Sequence, residues 1–305
     1  MTPEDGRAAA ENDAAGEAGA RPAGQGGAVL ETGAVAELGG RAGGPDPVGG
    51  TGAVNEVATR RDLRAEVLLV LGVSVGASAA FAVVDLIGKL TARIPLAQSQ
   101  ATLNGSYAPG RPLLDLALQL VSLGFGAVPA LLAVHLLRRS AVPPAAVGLD
   151  ASRPGPDLVR GLLLAAVVGI PGLLVYLGAH ALGLSAVVVA EALPAVWWRI
   201  PVLVLSAVVN AALEEVVVVA YLLTRLSRLG WRPGRALLAS ALLRGGYHLY
   251  QGFGAFVGNA VMGLLFGRVF QRTGRVMPLV IAHTVLDTVA FVGYALLHGH
   301  VSWLP

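Results

Sequence analysis

Cysteine is absent from the 305 residues. The chain therefore has no disulfide framework, no Cys-ligated zinc and no thiol nucleophile. Charge is scarce as well: Asp, Glu, Lys and Arg make up 13% of the chain, where a soluble domain carries roughly a quarter. That deficit excludes an ordinary water-soluble globule. The net charge is +3, and the excess of Lys and Arg sits in short loops between apolar runs. This reads as membrane topology, with no nucleic-acid partner expected. Residues 1–60 lack aromatics and are rich in Gly, Ala and acids. Such a segment buries too little apolar surface to offset its ordering entropy. It also lacks a basic stretch followed by an apolar one, so it does not read as a signal peptide. The expectation is a disordered cytoplasmic tail over residues 1–62 and a transmembrane domain over 63–305.

What the chain does have is hydrophobic residues, 55% of the total, with a mean hydropathy of +0.68. Apolar runs fall at about 65–88, 113–137, 159–183, 199–223, 236–253, 255–271 and 277–297, close to the roughly 20 residues a membrane-crossing helix needs. The predicted fold is all-α: a polytopic membrane bundle of about seven transmembrane helices. Pro129 and Pro171 fall inside the second and third runs, where kinks are expected. Arginines alternate between dense and sparse loops. Arg60, Arg61, Arg64, Arg138, Arg139, Arg153, Arg160, Arg225, Arg228, Arg232, Arg235, Arg268, Arg272 and Arg275 fall at one end of the predicted bundle. Lys89, Arg93, Arg111 and Arg199 fall at the other. The positive-inside rule then predicts an integral protein of the plasma (inner) membrane, N-terminus cytoplasmic and C-terminus outside. The pairs Gly72/Gly76, Gly254/Gly258 and Gly263/Gly267 read as close helix packing.

Deep within the predicted spans lie Asn210, Glu214, Glu215, Arg244, His248, Asn259, His283 and Asp287. A charge at the centre of a bilayer costs roughly 2.5–3.5 kcal/mol on insertion scales, so several together should face one another or water. Counted from the arginine anchors at about 1.5 Å per residue, Glu214 and Glu215 lie about 16 and 15 Å deep. Arg244 and His248 lie about 13 and 19 Å deep on the same scale, and His283 and Asp287 about 12 and 18 Å. Three separate helices thus bring polar groups to one level. His283 and Asp287 are four apart and share a helix face, as do Arg244 and His248. Glu214 and Glu215 diverge by about 100°, so one of them needs a partner of its own. Asn210 and Asn259 read as packing glue, and Tyr221, Tyr247 and Tyr250 as packing residues with satisfied hydroxyls. Trp197 and Trp198 beside Arg199 read as an interfacial belt. His135, His180, His298 and His300 read as interface residues.

The stretches EEVVVVAYLL, LLRGGYHLYQG and PLVIAHTVLDTVAF stand in order on successive apolar runs. They resemble the CAAX-protease and bacteriocin-processing (CPBP) family of intramembrane proteases, which includes the type II CAAX prenyl endopeptidases. The likeness covers about residues 199–297, where the family pattern is Glu-Glu-x-x-x-Arg, Phe-x-x-x-His and His-x-x-x-Asn/Asp. It implies that Glu214 is the general base and that Glu214 and His248 hold and activate a water. It implies that His283 and Asp287 stabilise the oxyanion, with Glu215 supporting and no metal or cofactor. Two positions depart from the pattern: Val219 stands where the family has Arg, and Arg244 where it has Phe. The paired loss and gain predicts that the cation has moved between helices and that Arg244 pairs with Glu215, which is costly to bury alone. An ionised Asp287 cannot donate to an oxyanion, so it is either protonated or orients His283.

The chemistry implied is peptide hydrolysis near the membrane, with lipid around the bundle and a peptide or protein substrate, lipidated or not. Three alternatives remain at this level. A zinc-dependent version of the same protease would use the two His and a Glu, though no His-Glu-x-x-His signature is present. A proton pathway would use the same Glu, His and Asp groups, though the chain shows no internal repeat. A non-catalytic member would bind without cutting.

Overall fold

The computed structural model describes residues 48–301 and, from Thr59 onward, their side chains. Its helices are α1 (Val48–Gly72), α2 (Val75–Thr91), α3 (Pro112–Arg139), α4 (Pro154–Ala181), α5 (Arg199–Glu214), α6 (Leu222–Arg228), α7 (Pro233–Gly246), α8 (Phe253–Thr273) and α9 (Met277–Leu297). A π-helical stretch, Glu215–Tyr221, joins α5 to α6 in one continuous rod. Proline occupies one of the first two positions of α3, α4, α7 and α9. There its missing N–H is one that no helix would have paired, and its fixed φ suits the first turn. Pro129 and Pro171 lie inside α3 and α4, which run on through them. Of the predicted tail, residues up to Pro47 lie outside the described residues, and the chain is helical from Val48.

The fold is an all-α membrane bundle, and the chain is an integral membrane protein. Among the described residues five helices are long and apolar enough to cross a bilayer, and the bent pair α1–α2 would make a sixth. Two of the seven predicted runs take a different form. The run at 65–88 breaks at Val73–Ser74, where the axes turn by 53°. Its sequence there, GVSVGAS, is poor in helix formers, and the Ser74 hydroxyl donates to the Val70 carbonyl. The run at 236–253 is helical only to Gly246, and a 3-10 turn at Leu249–Gln251 completes it. Both of its ends are tied to neighbouring segments. Gln271 at the end of α8 donates to Pro233 O at its start, and Gly252 bridges to Ser185 in the opposite loop.

At the end away from most arginines, the α2–α3 and α4–α5 loops meet in a short parallel pair, which helical hydropathy does not predict. β1 (Gln100–Thr102) pairs with β2 (Val187–Val189). Ala101 and Ala186 pack there with Leu249 and Tyr250 of the 3-10 turn. At the other end Arg275 pairs with Asp150 and Asp157, while Arg225 is buried against Glu66. These two arginines are ion-pair centres rather than simple interface anchors. The predicted tryptophan belt also divides: Trp197 is exposed, and Trp198 is buried with Leu203 and Phe291. The core lies along the π-helical rod, where Val216, Val217, Val218 and Val219 are all buried together with Phe266 and Leu279. Gly263 and Gly267 let α8 approach α7 at Ala241 and Leu237, as their spacing predicts, whereas Gly72 faces open space.

Candidate active site

The run EVVVVAY of the π-helical stretch carries four consecutive β-branched residues, which crowd the preceding turn of an α-helix. A π-turn widens that spacing, and such insertions recur at functional sites. Glu214 and Glu215 stand at the junction where the helix changes pitch. Both carboxylates reach one guanidinium despite their divergence. Arg244 Nη2 on α7 donates to Glu215 Oε1 at 2.6 Å, and Arg244 Nη1 lies 3.7 Å from Glu214 Oε2. Arg244 and Glu215 are both fully buried, at 0% exposure. The predicted cross-helix pair is therefore present in the structure, and Arg244 spans both acids. Its Nε and Nη1, and Glu215 Oε2, make no hydrogen bond to the described residues.

His283 on α9 joins the same cluster. Its Nδ1 lies 2.8 Å from Glu215 Oε1, so it is Glu215 rather than Glu214 that holds this ring. His283 Nε2 faces Asp287 Oδ1 at 3.6 Å, one turn further along α9. That separation is an ion-pair contact and too long for a hydrogen bond. Asp287 is held instead by Asn210, whose Nδ2 donates to Oδ2 at 2.7 Å.

His248 lies just past the end of α7, in the turn before Leu249, and not within a helix. Its Nδ1 lies 3.0 Å from Arg244 O. A carbonyl oxygen only accepts, so Nδ1 carries the proton and the neutral ring has its lone pair on Nε2. Glu214 is close enough for Coulombic interaction with both His248 and His283. The turn that carries His248 is pinned from two sides. Lys89 Nζ at the end of α2 donates to Tyr250 O at 2.6 Å, and Ala186 N donates to Gln251 O at 3.0 Å. Gly252 closes the turn at φ +107°, and a Cβ there would meet Leu184 O at 2.7 Å.

The structure thus gathers Glu214, Glu215, Arg244, His283 and Asp287 into one contact network, with His248 beside it. Two members go further than their sequence expectation. Tyr247 has the satisfied hydroxyl expected of it, and its partner is Glu214 Oε2 at 2.7 Å. Its signal was its place three residues after Arg244, on the same face. Asn210, read as packing glue, holds Asp287; its place four residues before Glu214 was the corresponding signal. Asn259 bonds its own helix at Ala255 O and stays outside the network. Among the described residues no three His, Asp or Glu side chains are placed to hold a metal ion.

Residues 196–289 match the family described as type II CAAX prenyl endopeptidase Rce1-like. No curated protein and no solved structure compared with the chain matches it. The matched stretch contains Glu214, Glu215, Arg244, Tyr247, His248, His283 and Asp287. The helical segments that carry this network thus lie in a stretch similar to the CAAX prenyl endopeptidase family.

Proposed function

We propose that the chain is an intramembrane endopeptidase that hydrolyses a peptide bond at or near the membrane, using a water activated by Glu214 and His248. The observation that carries this reading is the buried acid–guanidinium–imidazole network on three helices of a membrane bundle, inside the family-like segment. Ionisable groups are expensive in such a setting and mark function there.

The roles follow from which atoms are already engaged. Glu214 Oε2 is taken by Tyr247 and faces Arg244, while Oε1 has no protein partner among the described residues. Glu214 Oε1 takes the proton of the attacking water, and His248 Nε2 holds that water in line. The tetrahedral oxyanion faces His283, and a preorganised donor of this kind contributes roughly 3–4 kcal/mol to the transition state. Donation from Nε2 requires a proton on that nitrogen while Nδ1–H bonds Glu215. Glu214 then returns its proton to the leaving nitrogen. Asp287, fixed by Asn210, orients the His283 ring. Arg244 supplies the positive charge between the two glutamates, and the proposed reaction uses no metal or cofactor. The arginine distribution supports a plasma (inner) membrane protein with its N-terminus cytoplasmic and its C-terminus outside. Its surroundings are lipid, and its substrate is a peptide or protein, lipidated or not.

The test compares membranes carrying the wild type and Glu214→Gln by peptide-level proteomics. A quenched-fluorescence peptide ending in a farnesylated CAAX box serves as a direct probe. Uncut peptides should accumulate in the variant, and the purified wild type should cleave the probe even under strong chelation. Identical peptide profiles, or proton flux through proteoliposomes abolished by the same substitution, would overturn the reading.

A further inference from the structure

Tyr247 is absent from the motif pattern, yet it makes the shortest contact to the proposed base. Its hydroxyl donates to Glu214 Oε2 at 2.7 Å. The ring is buried at 6% exposure and lies 4.7 Å, centroid to centroid, from the His248 imidazole. One side chain therefore touches both members of the pair assigned to the water. A buried Tyr needs a partner for its hydroxyl, but many carbonyls would serve. This one is spent on a carboxylate, in a charge-assisted bond roughly twice as strong as a neutral one.

The local backbone explains the placement. α7 ends at Gly246, and Tyr247 N still donates to Leu243 O at 3.2 Å, so the ring follows the helical face that carries Arg244. His248 then leaves the helix, held by Gly245 O at its N–H and Arg244 O at its Nδ1. Tyr247 thus reaches Glu214 from the end of α7, with His248 next in the chain and against its ring.

We propose that Tyr247 is a positioning residue that holds Glu214 by Oε2 and so assigns Oε1 as the atom facing the water. The inference rests on the proteolytic reading above. An unanchored carboxylate has two equivalent oxygens and a free terminal torsion. Anchoring one oxygen fixes the plane of the group and the direction of the remaining lone pairs. The tilted ring contact with His248, at 40° between planes, sets the same side chain against the second member of the pair. Arg244 cannot do this alone, because its Nη1 is 3.7 Å away and makes no hydrogen bond to Glu214.

The experiment uses full-length protein in detergent micelles with the quenched farnesylated CAAX peptide. Tyr247→Phe should lower kcat on the order of 10- to 100-fold, a scale typical of lost positioning, with KM unchanged. Because that variant also loses a buried bond, a second series keeps the ring and its hydroxyl. Replacing Tyr247 with mono-, di- and trifluorotyrosine makes the phenol a progressively stronger donor. It then ties up more of the carboxylate's electron density, and kcat should fall with each fluorine while KM and Tm stay constant. A merely structural tyrosine would leave the fluorinated series flat, and that result overturns the proposal whatever Tyr247→Phe does. Wild-type kcat in Tyr247→Phe overturns it as well. If the wild type itself fails to cut the probe and Glu214→Gln membranes accumulate nothing, the proteolytic reading has failed instead.

Discussion

Arg244 has no exposed surface and faces two carboxylates, one across a 2.6 Å hydrogen bond. Removing one partner of a buried ion pair leaves the other charged and unpaired, at about 3–5 kcal/mol. Arg244→Phe should therefore lower the Tm of the purified protein by several degrees and abolish probe cleavage. Adding Val219→Arg returns a cation four residues after Glu215, within reach along the same helix. The double variant should regain part of both losses. A double variant no better than the single would show that the cation's position on α7, and not its charge, is what the site needs. At this scale the motif residues were legible because each is a costly exception in an apolar run. Tyr247 was legible only in part: its place three residues after Arg244 puts it on that face, but not against a carboxylate on another helix.

Between elements, the instructive piece is the turn after α7. A run at 236–253 reads as one more crossing helix by hydropathy alone. The structure ends α7 at Gly246 and presents His248 from a turn closed by Gly252. Periodicity could not show this, since the residues are apolar either way. What decides it is the neighbouring chain: the Lys89 ammonium on Tyr250 O, and the backbone of 184–186 against 251–253. Lys89 itself is tied to Asp85 at 2.7 Å, one turn back on α2. Lys89→Met should release the turn and lower kcat on the order of tenfold, because small misplacements near the chemistry cost rate steeply. Lys89→Arg should restore most of it. The kcat and KM of both variants on the farnesylated probe check this, and an unaltered kcat in Lys89→Met would show that the turn stands without it.

Across the molecule, α9 must hold its register for His283 to reach Glu215. Its first turn is latched to α4 and the preceding loop by Arg275, which meets Asp157 Oδ2 at 2.6 Å and Asp150 Oδ1 at 3.1 Å. Backbone bonds Val276 N to Val147 O and Met277 N to Gly148 O lie alongside. Hydrogen bonding from Ser152, and then from Arg275, holds the Asp150 carboxyl down to about 2 from its usual 3.8. A depressed carboxyl stabilises the fold fully above its unfolded value, and that contribution is lost as pH falls through the folded one. Stability from this latch should therefore decline between about pH 4 and pH 2. Thermal unfolding in detergent across that range should show a wild-type drop that Asp150→Asn lacks; equal slopes would place the acid sensitivity elsewhere.

The sequence by itself determined the all-α membrane bundle, since about 20 consecutive apolar residues have few other stable fates. It also marked Glu214, Glu215, Arg244, His248, His283 and Asp287, because charge in lipid is too costly to be scattered at random. Only the tertiary structure decided who meets whom: His283 with Glu215, Tyr247 with Glu214, Asn210 with Asp287. Spacing along one helix gives a side chain's direction around that axis. The pairing across helices depends on their relative rotation, on the π-helical stretch at 215–221 and on the end of α7 at Gly246, and these are set by packing between segments far apart in the chain.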